Sequence, residues 1–285
     1  MGLFSGKSKE IEPQYVTSLV NNQVLNYKVY KMTSSEKLLY SGLAMLAGGF
    51  TGLVFYADLF MSYGERTIAT HISNVVVFLI AGLLARKFFL PMRTKQLQKK
   101  RVNILKRQFI EFLVSLSTSL SSGMNVQDSL KSVVQDLTFQ FTAESFIVKE
   151  VNEMLAGLTN GVDIEALLED FGKRSGVEDI ANFAKVFSIC YRTGGNLQEV
   201  VSRSSNIISE KILIAEEIET KLTSNKTQFL AMNVVPIILV LMLRVMSRQF
   251  AESFASLIGV VAITVAVGLF IASYRMGEKI MDVKG

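Results

Sequence analysis

Tryptophan is absent and cysteine and histidine occur once each, as Cys190 and His71, so the chemistries that depend on these residues have almost no raw material. A disulfide framework needs a second cysteine, and a Cys/His zinc site needs about four such ligands; both classes are excluded. Proline occurs three times and charged residues make up only 19% of the 285 positions. What fills the space is apolar: 49% of the residues are hydrophobic and the mean hydropathy is +0.35, above that of an ordinary soluble protein. The chain reads as a membrane protein.

A formal net charge of +5 invites a nucleic-acid reading, but the charge is local. Arg93, Lys95, Lys99, Lys100, Arg101, Lys106 and Arg107 lie between Pro91 and Ile110 with no acid among them. From Gln108 to Thr227 there are 10 basic and 17 acidic residues, a net −7 that repels a phosphate backbone. No nucleic-acid partner is expected.

Crossing ~30 Å of hydrocarbon takes about 20 helical residues at ~1.5 Å each. Leu38 to Ala57 and Phe254 to Tyr274 meet that length without a charge. Ile72 to Leu90 qualifies if Arg86 and Lys87 snorkel to the interface, and Phe229 to Met246 if Arg244 does the same. The first 37 residues are polar and have no continuous apolar core, so no cleaved signal peptide is expected. Basic residues follow the second span, and Arg275, Lys279 and Lys284 follow the fourth, which predicts a multi-pass protein of the cytoplasmic membrane with both termini inside. The predicted organisation is a cytoplasmic N-terminal segment (1–37), a transmembrane hairpin (38–90), a cytoplasmic helical domain (91–228), a second hairpin (229–274) and a cytoplasmic tail (275–285).

Within the domain, Phe109, Phe112, Leu113, Leu116 and Leu120 recur at helical spacing, and no proline occurs from Met92 to Val235. Three joints share one pattern, Gly123-Met124-Asn125, Gly161-Val162-Asp163 and Gly194-Gly195-Asn196, each with a glycine to end one helix and an Asn or Asp to cap the next. Asp128 and Glu199 stand three residues after their caps, where an acid can bond back to the cap or meet the helix dipole. Phe112 to Leu130 echoes Phe183 to Val201 at an offset of 71, either a duplicated helix–turn–helix or a chance likeness of two capped helices. Beyond Asn196 the stripe Leu197, Val201, Ile208, Ile212, Ala215, Ile218 and Leu222 predicts a helix that packs along the domain and runs toward the third span. The fold class is all-α: about four transmembrane helices and a cytoplasmic bundle of about six.

Few residues suggest chemistry. Gly6-Lys7-Ser8 lacks the spacing and preceding strand of a phosphate-binding loop. Cys190 reads as a core thiol and His71 as an interfacial imidazole. No catalytic, cofactor-binding or metal residue is identified. The acids Glu165, Glu169 and Asp170 fall on one helix and read either as a solvated face or as a docking surface for a basic partner. Ala44, Gly48 and Gly52 in the first span, and Ala255/Gly259 and Ala262/Ala266 in the last, predict close helix approach, within one chain or between copies.

The stripe Phe109-Ile110-Glu111-Phe112-Leu113, the turn Leu120-Ser121-Ser122-Gly123-Met124, the Leu167-Leu168-Glu169-Asp170-Phe171 helix and the joint Thr193-Gly194-Gly195-Asn196-Leu197 resemble the F domain of type II secretion and type IV pilus platform proteins. Two spans on either side of one such domain are similar to the tight-adherence (Tad) pilus subfamily. The resemblance implies a non-enzymatic platform that links a cytoplasmic secretion ATPase to pilin subunits, with a paralogous platform protein or further copies of itself as partners in the lipid membrane. It supplies no catalytic residue and leaves Gln14 to Lys37 unassigned. A small transporter or channel subunit is the alternative; it would favour charged groups within the spans and broken helices.

Overall fold

A computed structural model describes residues 13–57, 68–247, 250, 253 and 256–281, with backbone alone at 222–226, 257 and 278–281. Gly6-Lys7-Ser8, the tip of the first hairpin including Ser62, Gln249, Ala255 and the last four residues lie outside the described residues. The elements are β1 (Tyr15–Thr17), β2 (Gln23–Leu25), α1 (Ser34–Tyr56), α2 (Ile68–Ser121), α3 (Val126–Gln140), α4 (Phe146–Thr159), α5 (Ile164–Ser175), α6 (Glu178–Thr193), α7 (Leu197–Met246) and α8 (Leu257–Met281). The chain divides into a bundle unit, residues 1–31 and 94–213, and a membrane unit, residues 32–93 and 214–285.

The bundle unit has six helical segments, the C-terminal part of α2, α3 to α6, and the start of α7; α3 pairs with α4, α4 with α5 and α5 with α6. The predicted stripe on α2 forms its centre: Phe109, Phe112, Leu113 and Leu116 are all buried, while Leu120 packs at the margin. Around Phe109 stand Phe112 at 5.6 Å, Phe183 edge-on at 5.5 Å and Phe171 at 6.1 Å between ring centroids. Each such side chain contributes roughly 1.5–3 kcal/mol by leaving water. On α7, Val201 and Ile208 are buried and Leu197 and Ile212 pack beside them. The next positions of the predicted stripe, Ala215 and Ile218, are exposed, so its covered part ends at Ile212; the side chain of Leu222 lies outside the described residues. Cys190, expected in the core, is half-buried, and its neighbours Ile189 and Tyr191 are exposed, since α6 turns its Phe183–Ala184–Phe187 face inward.

Residues 14–31, which carry no sequence motif, belong to this unit. β1 and β2 pair antiparallel with Tyr15 opposite Leu25, and Asn21 takes the left-handed conformation between them, at φ 68°. Among the described residues the hairpin is a small addition to elements that are otherwise helical.

The membrane unit contains α1, α2 up to Arg93, α7 from Ile214, and α8. Among the described residues four helices are long and apolar enough to cross a bilayer: Ser34–Tyr56, α2, Thr227–Met246 and Ile258–Gly277. Pro91 and Pro236 sit inside α2 and α7, and the helices run through them, as spanning helices tolerate. His71 is exposed in the first turn of α2. Small residues set the α1–α2 contact: a methyl added at Gly48 or Gly52 would overlap Ala85 or Ala81, and one at Gly82 would meet Met45. The predicted Ala44/Gly48/Gly52 stripe therefore packs within the chain, whereas Ala262 and Ala266 face outward. Arg244, expected to snorkel, is directed to the end of a neighbouring spanning helix. Its guanidinium donates to the carbonyls of Leu53 and Val54, at 2.9 Å each, and of Ala57 at 2.5 Å, satisfying the open C-terminus of α1.

Candidate docking face and the anchored N-terminal segment

Each predicted joint is a chain reversal with a left-handed glycine: Gly123 at φ 82°, Gly161 at 78° and Gly194 at 69°. A side chain in this region costs ~1 kcal/mol or more. Asn125 Oδ1 accepts from the Asp128 amide at 2.8 Å, and Asn196 Oδ1 from the Glu199 amide at 3.2 Å. The Asp128 carboxylate returns to the Asn125 side-chain amide, at 2.8 Å, rather than to the cap backbone. Asp163 makes no side-chain cap bond. Gly195 keeps an ordinary φ, and a methyl there would stand 2.8 Å from Cys190 Sγ; Thr193 Oγ1 donates to the Ile189 carbonyl at 2.9 Å. The two arms of the offset-71 echo thus share the αL glycine, the Asn cap and a buried phenylalanine, Phe112 or Phe183. A fourth joint escaped the sequence pattern: Gly176, at φ 65°, ends α5 but is followed by Val177, which cannot cap.

The three acids read as a docking candidate already hold cations. Glu165 pairs with Arg192 at 3.1 Å, Glu169 with Lys173 at 2.8 Å and Asp170 with Arg174 at 2.6 Å. Glu169 is open to water, and Lys173 holds its carboxyl below the usual range. Glu165 and Asp170 are mostly covered. Among the described residues no group of three or more His, Cys, Asp or Glu is placed to hold a metal.

Asp170 is the outer edge of a buried ionic cluster. Arg174 donates to both oxygens of Glu150, at 3.0 and 2.8 Å, and to the Leu25 carbonyl at 3.1 Å. Tyr27, 1% exposed, donates its hydroxyl to Glu150 Oε1 at 2.9 Å and its amide to the Arg174 carbonyl at 3.0 Å. Ser18 also bonds Glu153 one turn along α4, and Tyr27 packs edge-on against Phe146 at 5.7 Å. Burial pushes the Glu150 carboxyl up, against the pull of Arg174 and Tyr27. The Tyr27 phenol is held far above its ordinary value by burial and then by the Glu150 charge, so it stays a donor. Burial works against the Arg174 charge, but the hydrogen bonds and charges of Glu150 and Asp170 outweigh it. The cluster fastens the N-terminal segment to α4 and α5. The sequence analysis missed it; the one signal that could have found it is Glu150 sharing a helix face with Ile147, Val151 and Met154, an acid on an apolar stripe.

Residues 112–245, just under half of the chain, match the family model for Type II secretion system (T2SS), protein F. The match begins on the buried stripe of α2 and ends one residue before the end of α7. It supports the type II secretion/type IV pilus F-domain family, whose members are platform components of secretion and pilus machinery. No curated protein and no solved structure matches the chain.

Proposed function

We propose that this chain is a non-enzymatic platform protein of the cytoplasmic membrane in a pilus-assembly or type II secretion-like machine, coupling a cytoplasmic secretion ATPase to pilin assembly. The observation that carries the reading is the position of the F-type match, 112–245, in a chain with two apolar spanning helices before the bundle and two after it. That arrangement favours the tight-adherence kind of platform, with a paralogous platform protein or further copies of itself alongside. The excess of basic residues after the second and fourth spans favours a cytoplasmic bundle and cytoplasmic termini. Thr193 to Asn196, with Gly123 and Asn125, act as the fixed corners of the bundle. Among the docking acids, Glu169 is the one most open to a partner's cation. Glu165 and Asp170 serve the same face while orienting Arg192 and Arg174.

Affinity purification of the full chain from its host's membranes tests the reading. An ATPase and pilins should be retained, and Glu169→Lys, the exposed member of the three acids, should weaken ATPase recovery while insertion persists. A solute flux from the reconstituted protein, with no ATPase or pilin retained, would favour the transporter reading instead.

A further inference from the structure

Two stretches of the chain are free of acids, Pro13 to Ser35 and Arg66 to Ile110, and the fold brings parts of them together. Gln98 on α2 donates its side-chain amide to the Lys28 carbonyl. Arg101 lies over the Tyr30 ring, 4.3 Å from its centroid, and the Lys31 amide is held by Gln14 Oε1 at 2.8 Å. Lys28 and Lys31 are thereby fixed beside Gln98 and Arg101, on the stretch of α2 that also carries Lys95, Lys99 and Lys100, and all five lysines are exposed. Among the described residues none of the five has an ion-pair partner. Glu36, the nearest acid in sequence, is turned to the Thr33 amide at 3.0 Å.

The collar stands at the edge of apolar segments. Lys31 precedes the first residue of α1, Ser34, by three positions. On the single helix α2, Lys95, Lys99 and Lys100 follow the end of the apolar run at Leu90 by one to three turns, about 8–15 Å at ~1.5 Å per residue. Clustered lysines at that depth meet the headgroup region, where each contributes about fivefold to binding of an anionic surface.

We propose that Lys28, Lys31, Lys95, Lys99 and Lys100 form one site for the phosphate headgroups of acidic phospholipids. The inference does not rest on the platform reading, since it uses only this unit's geometry and the few residues that separate its lysines from the apolar runs along the chain. The Lys28 carbonyl and the Tyr30 ring, held by Gln98 and Arg101, position the N-terminal half of the site, and the ionic cluster at Tyr27 secures that half to the bundle.

The test reconstitutes the full chain in vesicles of phosphatidylcholine and phosphatidylglycerol, extracts it in mild detergent and measures the lipid that stays bound. Phosphatidylglycerol should be enriched about fivefold or more over the bulk mixture, and less so at high salt. Both K95Q/K99Q/K100Q and the sequence-distant K28Q/K31Q should lower the enrichment several-fold. Arginine at the same positions should restore it, which separates loss of charge from loss of fold, and K149Q/K173Q should leave it unchanged. Equal retention of the two lipids by the unsubstituted protein overturns the proposal, as does a K28Q/K31Q variant that retains lipid fully. Loss of a bound acidic protein, with lipid retention unaltered, would assign the collar to a protein partner and overturn it too.

Discussion

In the bundle unit Phe109, Leu113 and Val151 have lost all contact with the exterior, whereas in the membrane unit Leu46, Leu239 and Val265 keep more than half of their surface outside the protein. The interiors are inverted as well. Large aromatic and aliphatic side chains fill the bundle, while Gly48, Gly52 and Gly82 let α1 and α2 approach in the membrane unit. Water makes it favourable to bury large side chains. Lipid gives no such reward, so close backbone packing and satisfied polar groups decide the helix contacts. Polar groups follow suit: the bundle closes Glu150 and Arg174 into a bidentate pair, and the membrane unit spends Arg244 on the carbonyls at the end of α1.

The largest effects should therefore come from the bundle interior. Phe109→Ala and Glu150→Ala are each expected to cost about 3–5 kcal/mol, the first by leaving a cavity and the second by stranding the Arg174 charge. Leu239→Ala, on the outer face of α7, should be nearly silent in the same denaturation of full chain in micelles followed by circular dichroism. A cost at Leu239 equal to that at Phe109 would break the contrast between the units.

An intermediate effect tests the small-residue packing. Gly52→Val should cost about 1–3 kcal/mol by driving α1 from α2. Gly268→Val is the control, because an added methyl there meets nothing within 4 Å. In the bundle, Gly194→Val should lower the melting temperature by the equivalent of ~1 kcal/mol or more, since its φ is 69°. Tyr27→Phe should cost about 1 kcal/mol by removing the hydroxyl bond to Glu150.

The smallest effect is electrostatic and confined to the bundle surface. Hydrogen bonds and the charges of Lys131, Lys149 and Lys173 hold the carboxyls of Asp128, Glu144 and Glu169 below their ordinary values. Their folded pKa lies beneath the unfolded one, so their contribution is present above the ordinary carboxylate range and is lost as pH falls through the lowered values. Melting temperature followed from neutral to acid pH should decline less steeply in the D128N/E144Q/E169Q variant than in the parent.

Apolar periodicity made the spans and the α2 stripe legible, because burial or lipid contact acts on each residue where it stands. The Gly-Asn joints were legible for the same local reason. What the sequence hid depends on distant partners: Tyr27 meets Glu150 across 123 positions, and strands of three residues are too short to show alternation. The partners of Arg244 were hidden in the same way, because the carbonyls it satisfies belong to a helix end about 190 positions away. Likewise Glu165, Glu169 and Asp170 form an acidic run in the sequence, but in the fold each is matched by a cation.

The contrast between the units is one of lipid against water, and the proposed function further requires that water to be the cytoplasm, which labelling by an impermeant thiol reagent tests directly. In a Cys190→Ser background, cysteine at Ser62 or Gln249 should react in intact cells, whereas cysteine at Ser122, beside the Gly123 joint, should react only after the membrane is opened. Labelling at position 122 in intact cells would put the bundle outside and contradict the platform function.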